Sequence, residues 1–299
     1  MLDTVTAQAL ENQAFEIKPS PSGIGAEVIG IDLSKPLSDQ DSKRISDAFN
    51  DHSVLVYRAQ HLTPEQHIAF SRRWGTVQVN VRGEFNKPGY PEIYIVSNVI
   101  ENGKPIGSQD AGRYWHTDIC YLPKPTKCSL LYAHELPGQG LGDTMFASNI
   151  HPYEKLPERV KRRLAGKTAA NSYRYMYDRK AAEFGLRPKL SQQEMKKYPD
   201  DAIHPVIRTH PETAKKCVFV CEGYSTHILG MPKEESDELL GMLFEAVQQP
   251  GNVYRHKWQL GDLLQWDNCA VQHKVSFDYQ LPLRRRLERT TVEAKDVPY

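Results

Sequence analysis

The sequence lacks any apolar run near the ~20 residues needed to cross a bilayer, so no membrane span is expected. It also lacks a charge excess: 38 Lys and Arg against 37 Asp and Glu leave a formal net charge of +1. Neither a nucleic acid nor an anionic membrane is called for as a partner. The cysteines are few, at 120, 128, 217, 221 and 269, an odd number with no CxxC pair. That argues against a disulfide framework and fits a reducing cytoplasm. No internal repeat or low-complexity linker is found. The opening stretch MLDTVTAQALENQAFEIKPS has acidic residues and no basic-then-apolar order, so it does not read as an export signal.

What is present is the composition of a globular protein: 299 residues, 39% apolar and 25% charged. Twenty prolines and nineteen glycines are spread along the chain and mark many turns. Short strands are expected at VLVYR, PEIYIVSNVI, TKCSLLYAHELP, DTMFAS, IHPVIRTH, KCVFVCEG, VYRHKWQLGDLLQWDN and RRLERTTVE. Helices are expected at SDQDSKRISDAFNDHSV, capped near Ser38 or Asp39, and at LTPEQHIAFSRRWG. The second has Thr63 as cap, Pro64 at the first position, Gln66 at the reciprocal capping position and Gly75 beyond its end. IHPYEKLPERVKRRLAG reads as one helix and PKEESDELLGMLFEAVQQP as another. The stretch 168–199 has many charges and no clear strand, and reads as a lid or an insertion. The expected fold is mainly β with surrounding helices, one domain over 1–299, built as a sandwich or barrel.

The stretch GRYWHTDICYLP carries His116 and Asp118 two positions apart. On a strand these would share a face while Thr117 points away. Imidazole and carboxylate together suit a divalent metal of intermediate softness. Two histidines and one carboxylate on one side of an octahedron leave positions open for oxygen chemistry, as in non-haem iron oxygenases. Of eleven histidines, His52, His61 and His67 fall around predicted helices, where surface or packing roles are expected. His273, in WDNCAVQHKVSFDY just past a strand, stands out, and the arginine cluster RRRLER follows it.

The order and spacing of GIGAEVIGIDLSKPL, FSRRWG, WHTDICY, LPGQGLGDTMFAS, HPVIRTHPET, FVCEGYSTHI, WDNCAVQHKVSFDY and RRLERTTV resemble the TauD/TfdA group, the taurine/2,4-dichlorophenoxyacetate dioxygenases. The resemblance covers nearly the whole chain and implies a double-stranded β-helix (jelly roll, cupin-like) core. It implies an enzyme dependent on Fe(II), with 2-oxoglutarate and O2 as co-substrates, and His116, Asp118 and His273 as iron ligands. It also points to Arg285 for the far carboxylate of 2-oxoglutarate, with a hydroxyl hydrogen bond from Thr144, and to Arg289 for the anionic group of the prime substrate. Arginine meets such groups with two parallel hydrogen bonds. On a strand Arg285 and Arg289 would share an inward face and Arg284 and Arg286 would point outward. Trp266 and Asn268 are expected to shape or support the site.

The chemistry so implied is decarboxylation of 2-oxoglutarate to succinate and CO2, coupled to hydroxylation of a substrate carbon. Where the hydroxyl lands beside a heteroatom, the C–O, C–N or C–S bond then breaks. The taurine enzymes keep polar residues where this chain holds Asn80, Gly83 and Gly112, so taurine itself fits poorly. The glycines suggest volume for a bulky acid, with Tyr114, Tyr121 and the NSYRYMYD segment as aromatic walls and Arg82 as a surface cation near the entrance. The expected substrate is a small organic carboxylate such as an aryloxyalkanoate; an alkylsulfonate, taurine or an alkyl sulfate is the alternative. A non-catalytic cupin-like binding protein is the reading from another class. A homo-oligomer, dimer or tetramer, is expected in the cytoplasm.

Overall fold

A computed structural model of the protein describes residues 12–80, 83–185, 188–196 and 198–299. Arg82 lies outside them.

β1 (Glu16–Pro19) and β2 (Ala26–Ile29) pair antiparallel, and α1 (Asp39–His52) carries the chain over to β3 (Val54–Tyr57), parallel to β2. The Ser38 side chain caps α1 by accepting from the Asp41 amide, and Ile45, Ala48 and Phe49 form its buried stripe. α2 (Pro64–Arg72) opens with the reciprocal Thr63–Gln66 capping box. Gly75, at φ 142°, ends this segment; a Cβ there would lie 3.1 Å from the Val292 side chain. β4 (Asn86–Lys87) and β5 (Tyr90–Ser97) follow, then a small hairpin of β6 (Ile100–Glu101) and β7 (Lys104–Pro105).

β8 (Thr126–Glu135) and β9 (Thr144–Ser148) precede the expected long helix, which is two: α3 (Ile150–Lys155) and α4 (Glu158–Leu164). Pro157 causes the break, because the residue before a proline is driven out of the helical region, and Leu156 is extended at ψ 138°. The stretch 168–199 departs from expectation too. It starts with β10 (Thr168–Asn171) and continues into α5 (Tyr173–Phe184) and α6 (Gln192–Met195). β10 pairs with β11 (Ala202–Pro205) on one side and β14 (Ser225–Ile228) on the other; β12 (Ile207–Thr209) pairs with β13 (Lys216–Val218). α7 (Lys233–Val247), β15 (Val253–His256), β16 (Leu263–Asp267), β17 (Val271–Val275) and β18 (Arg286–Glu293) complete the chain.

An eight-stranded sheet in the order β1-β2-β3-β16-β8-β18-β5-β4 faces a three-stranded one, β15-β9-β17. Side chains alternate across each strand, so the large sheet presents two apolar faces. Val54, Val56, Leu131, Leu264, Trp266 and Leu287 pack inward on Phe146 and Val271 of the small sheet. Leu55, Tyr57, Leu130, Leu263 and Val292 pack outward on Ile45, Phe49 and Phe70 of the first two helices. Coverage on both faces explains why VLVY is buried throughout. Among the described residues no sheet closes on itself, so the architecture is a mixed β/α fold of facing sheets. No helix of the described residues is long and apolar enough to cross a membrane.

Candidate metal centre

His116 and Asp118 do not share a regular strand, contrary to expectation. His116 forms only an isolated bridge to His273 of β17, exchanging two backbone hydrogen bonds (His116 N to His273 O, 3.1 Å; His273 N to His116 O, 2.9 Å). In an antiparallel pair of this kind the two side chains emerge on one side, and the imidazole centroids are 4.1 Å apart. The chain then turns, with Ile119 at φ 56°, and the turn aims the Asp118 carboxylate back at both rings. Asp118 Oδ1 lies 3.7 Å from His116 Nε2 and 3.9 Å from His273 Nε2. One ligand atom from each residue falls within 4.8 Å of the others. That spacing suits three donors each about 2.1 Å from one ion.

Surrounding groups fix these ligands. His116 Nδ1 is 2.9 Å from the Tyr114 carbonyl and 3.0 Å from the His273 carbonyl. Only a protonated Nδ1 satisfies a carbonyl, so Nε2 is left with its lone pair for a metal. Ser129 Oγ donates to Asp118 Oδ2 at 2.7 Å. Asn268 Oδ1 accepts from the Asp118 amide and from Trp266 Nε1, both at 3.1 Å, while Asn268 Nδ2 donates to Ser129. Asn268 and Trp266 thus support the site, and Ser129, which the sequence reading missed, completes the ring.

Burial pushes the Asp118 carboxyl upward, but Arg289, His273, His116 and the Ser129 hydroxyl together hold it down at about 2. Burial lowers both histidines, His273 well below its ordinary value, with His116 as the next cause. An ionised carboxylate beside two neutral imidazoles is the donor set a divalent cation requires.

Arg289 Nη1 sits 2.7 Å from Asp118 Oδ1, its guanidinium is 5.5 Å from the Tyr94 ring, and its Nε has no hydrogen-bond partner among the described residues. Arg285 is only 1% exposed and precedes β18, with a register shift between Arg286 and Leu287. Its Nε donates to the Gly142 carbonyl at 3.1 Å and its Nη2 is unpaired among the described residues. Gly142, at φ 66°, permits this approach, since a Cβ would lie 2.9 Å from the guanidinium. Thr144 is buried, its hydroxyl accepting from Trp258 Nε1 at 3.1 Å. Arg284 pairs with Glu135, and Arg286 with Glu288 on the other face.

A cavity opens on His116, Asp118 and Arg289, walled by Asn80, Tyr94, Tyr121, Tyr173, Met176, Lys180 and Tyr224. Tyr173, Met176 and Lys180 share the buried face of α5, so this helix roofs the cavity. Tyr114 lines a small adjoining pocket with His116, Met176, Lys180 and Tyr224; its hydroxyl donates to Glu183 at 2.7 Å and Arg179 stacks on its ring at 4.1 Å. Of the two glycines expected to leave volume, Gly112 lines the cavity and Gly83 does not. Gly83 sits in a turn away from the cavity lining. Gly112, at φ 82°, is required by packing, since a Cβ would come 2.6 Å from Val275 Cγ2.

The family model "Taurine catabolism dioxygenase TauD, TfdA family" matches residues 16–291. Pentalenolactone F synthase of Streptomyces avermitilis is 33% identical, covering 96% of this chain and 96% of its own. The alpha-ketoglutarate-dependent 2,4-dichlorophenoxyacetate dioxygenase of Burkholderia sp. is 31% identical, covering 89% and 90%. The crystal structure of AAD-2 in complex with Mn(II) and N-oxalylglycine superposes with a TM-score of 0.81 at 27% identity, covering 96% and 99%. With the convergent His116, Asp118 and His273 triad, these likenesses establish that the chain belongs to the TauD/TfdA family of Fe(II)- and 2-oxoglutarate-dependent dioxygenases.

Proposed function

We propose that this dioxygenase hydroxylates a small organic carboxylate with a bulky apolar or aromatic body, an aryloxyalkanoate-type acid being the named example. The observation that carries the reading is Arg289: a half-buried guanidinium at the edge of the triad, its Nε buried and without a hydrogen-bond partner among the described residues, in a cavity walled by tyrosines. Its planar fork matches a carboxylate, and the Tyr94, Tyr121, Tyr173 and Tyr224 walls match a flat or apolar body.

In this reading His116, Asp118 and His273 hold iron(II), and Arg285 with Thr144 takes the far carboxylate of 2-oxoglutarate. Buried Arg285 has an Nη2 without a hydrogen-bond partner among the described residues, a donor suited to that carboxylate. Bound iron, 2-oxoglutarate and dioxygen together supply C–H oxidation with release of succinate and CO2. The chain's own work is to orient the two acids and limit water, with no side chain acting as general base. Ser129 and Asn268 position Asp118; Arg289 shares its charge between Asp118 and the substrate anion; the α5 face closes the cavity above. Asn80 lines the same cavity as a polar substrate contact, whereas Tyr114 acts through its hold on α5.

The facing sheets are read as the two halves of a double-stranded β-helix in a single domain, with 168–199 as lid. Five free, buried cysteines fit a reducing cytoplasm, and the chain is proposed to work there as a homo-oligomer. A non-catalytic barrel would have no need of a buried arginine kept for a co-substrate.

The test is a panel of aryloxyacetates, aryloxypropionates, taurine, longer alkylsulfonates and alkyl sulfates at equal concentration with iron(II) and 2-oxoglutarate. Succinate and oxidised product are followed together, because succinate alone also reports uncoupled decarboxylation. The carboxylates are expected to give the highest kcat/KM. A higher value for a sulfonate or sulfate would overturn the carboxylate reading, and absence of succinate with every compound would favour a binding protein.

A further inference from the structure

On the other side of the β16–β17 turn from the metal centre is a second cavity, of about 160 Å³, several times the ~30 Å³ that a liquid water occupies. The turn separates the two: Asp267 lines this cavity, while its neighbour Asn268 accepts from the Asp118 amide. Arg208 of β12 reaches the cavity as a buried side chain, 5% exposed, with its guanidinium 4.8 Å from the Phe219 ring. Among the described residues its Nε and Nη1 have no hydrogen-bond partner. Thr126, at the start of β8 and 1% exposed, lines the same cavity, and its hydroxyl is unpaired as well.

The side-chain carboxylates that line the cavity are paired or exposed, and Tyr299 lines it too, its main-chain oxygen accepting from the Thr209 amide at 2.8 Å. Asp267 Oδ2 pairs with His210 Nε2 at 2.9 Å, and its Oδ1 accepts from the amides of Cys269 and Ala270. Glu212 pairs with Lys127 at 3.2 Å, and Asp296 is exposed at the rim beside Lys295. A buried guanidinium without an anion is costly, and here it shares a polar cavity with a second donor that lacks an acceptor.

We infer that this cavity is a binding site for a small oxyanion, a carboxylate or a phosphate, held by the Arg208 guanidinium and the Thr126 hydroxyl. The arginine supplies charge-assisted hydrogen bonds and the threonine one neutral bond, with Lys295 contributing at the mouth. This site is distinct from the co-substrate arginine, Arg285, and its occupancy does not depend on the substrate reading above.

The test uses the full-length, metal-free chain at constant ionic strength in sodium chloride. Inorganic phosphate and acetate are titrated separately by calorimetry. One saturable site per chain is expected for at least one of them, and the preference identifies the oxyanion. Arg208→Gln is expected to weaken binding by ~10-fold or more, and Thr126→Val, which keeps the volume, by ~5-fold, the scale of one hydrogen bond. Arg285→Gln is expected to leave this site unchanged. No saturable site for either anion, undiminished binding in Arg208→Gln, or loss on Arg285→Gln in place of Arg208→Gln would each overturn the assignment. Should Arg208→Gln fail to fold, Thr126→Val decides: unchanged affinity in a folded variant contradicts the site.

Discussion

Ser129 Oγ donates to Asp118 Oδ2 at 2.7 Å, which leaves Oδ1 as the carboxylate oxygen that faces both histidines. A hydroxyl on the central strand β8 thereby decides which oxygen of a turn residue meets the metal. Supporting hydrogen bonds of this kind are worth ~10–100-fold in metal affinity. Ser129→Ala is therefore expected to weaken iron(II) binding by that order while the fold persists. Iron titration of the purified variant checks this; wild-type affinity would show that Ser129 does not hold the ligand.

The two arginines are expected to separate by ligand. Arg285→Ala should raise the 2-oxoglutarate requirement tens- to thousands-fold, since removing one partner of a buried charged pair costs about 2–5 kcal/mol. Arg289→Ala should weaken prime-substrate binding and leave 2-oxoglutarate affinity nearly intact. Parallel titrations in which both variants lose the same ligand would contradict the roles given to them.

Gly112 offers a test of packing against volume. With φ at 82° and Val275 Cγ2 2.6 Å from the site of a Cβ, Gly112→Ala is expected to cost about 1–3 kcal/mol of stability. Val275→Ala should recover part of this loss when combined with it, although the backbone strain remains. Chemical denaturation of the single and double variants measures both effects. Full stability in Gly112→Ala would return the glycine to a role in substrate volume.

Glu288 supplies a pH-dependent test outside the catalytic site. Burial raises its carboxyl, but His134 at 3.2 Å and Lys87 at 2.6 Å prevail and hold it at about 2, below its ordinary 4.5. A carboxyl depressed in the folded state adds stability above its unfolded pKa and loses it as pH falls through the folded value. Lys87→Met should thus be less stable than wild type by about 1–2 kcal/mol above pH ~4.5, with the gap closing toward pH ~2. Denaturation midpoints across that window that stay in parallel would dismiss the coupling.

Much of the site was legible because its chemistry depends on residue type. His116, Asp118 and His273 stand out as a donor set, and the helix caps at Ser38 and Thr63 are local hydrogen-bonding patterns. What failed was geometry that only tertiary contacts determine. The strand expected through His116 and Asp118 is one bridge and a turn, because pairing with His273 stops after one residue. β10 and β14 have four residues each, too few for alternation to show, and β10 forms between β11 and β14. The ties of Tyr114 to α5, its hydroxyl to Glu183 and its ring to Arg179, are tertiary in the same way and leave no local signal. Two signals were readable. Pro157 marks the helix break, and Ser129 is a polar residue inside the apolar run CSLLYA, where a buried hydroxyl needs a partner.

The central claim is that His116, Asp118 and His273 hold the iron on which turnover depends. The most direct measurement is iron content of the wild type and of the H116A/D118A double variant, with 2-oxoglutarate-dependent succinate formation assayed on the same samples. The account predicts one iron(II) per wild-type chain, and loss of both iron and succinate in the double variant. Full iron retention in that variant, with succinate still forming, would contradict it.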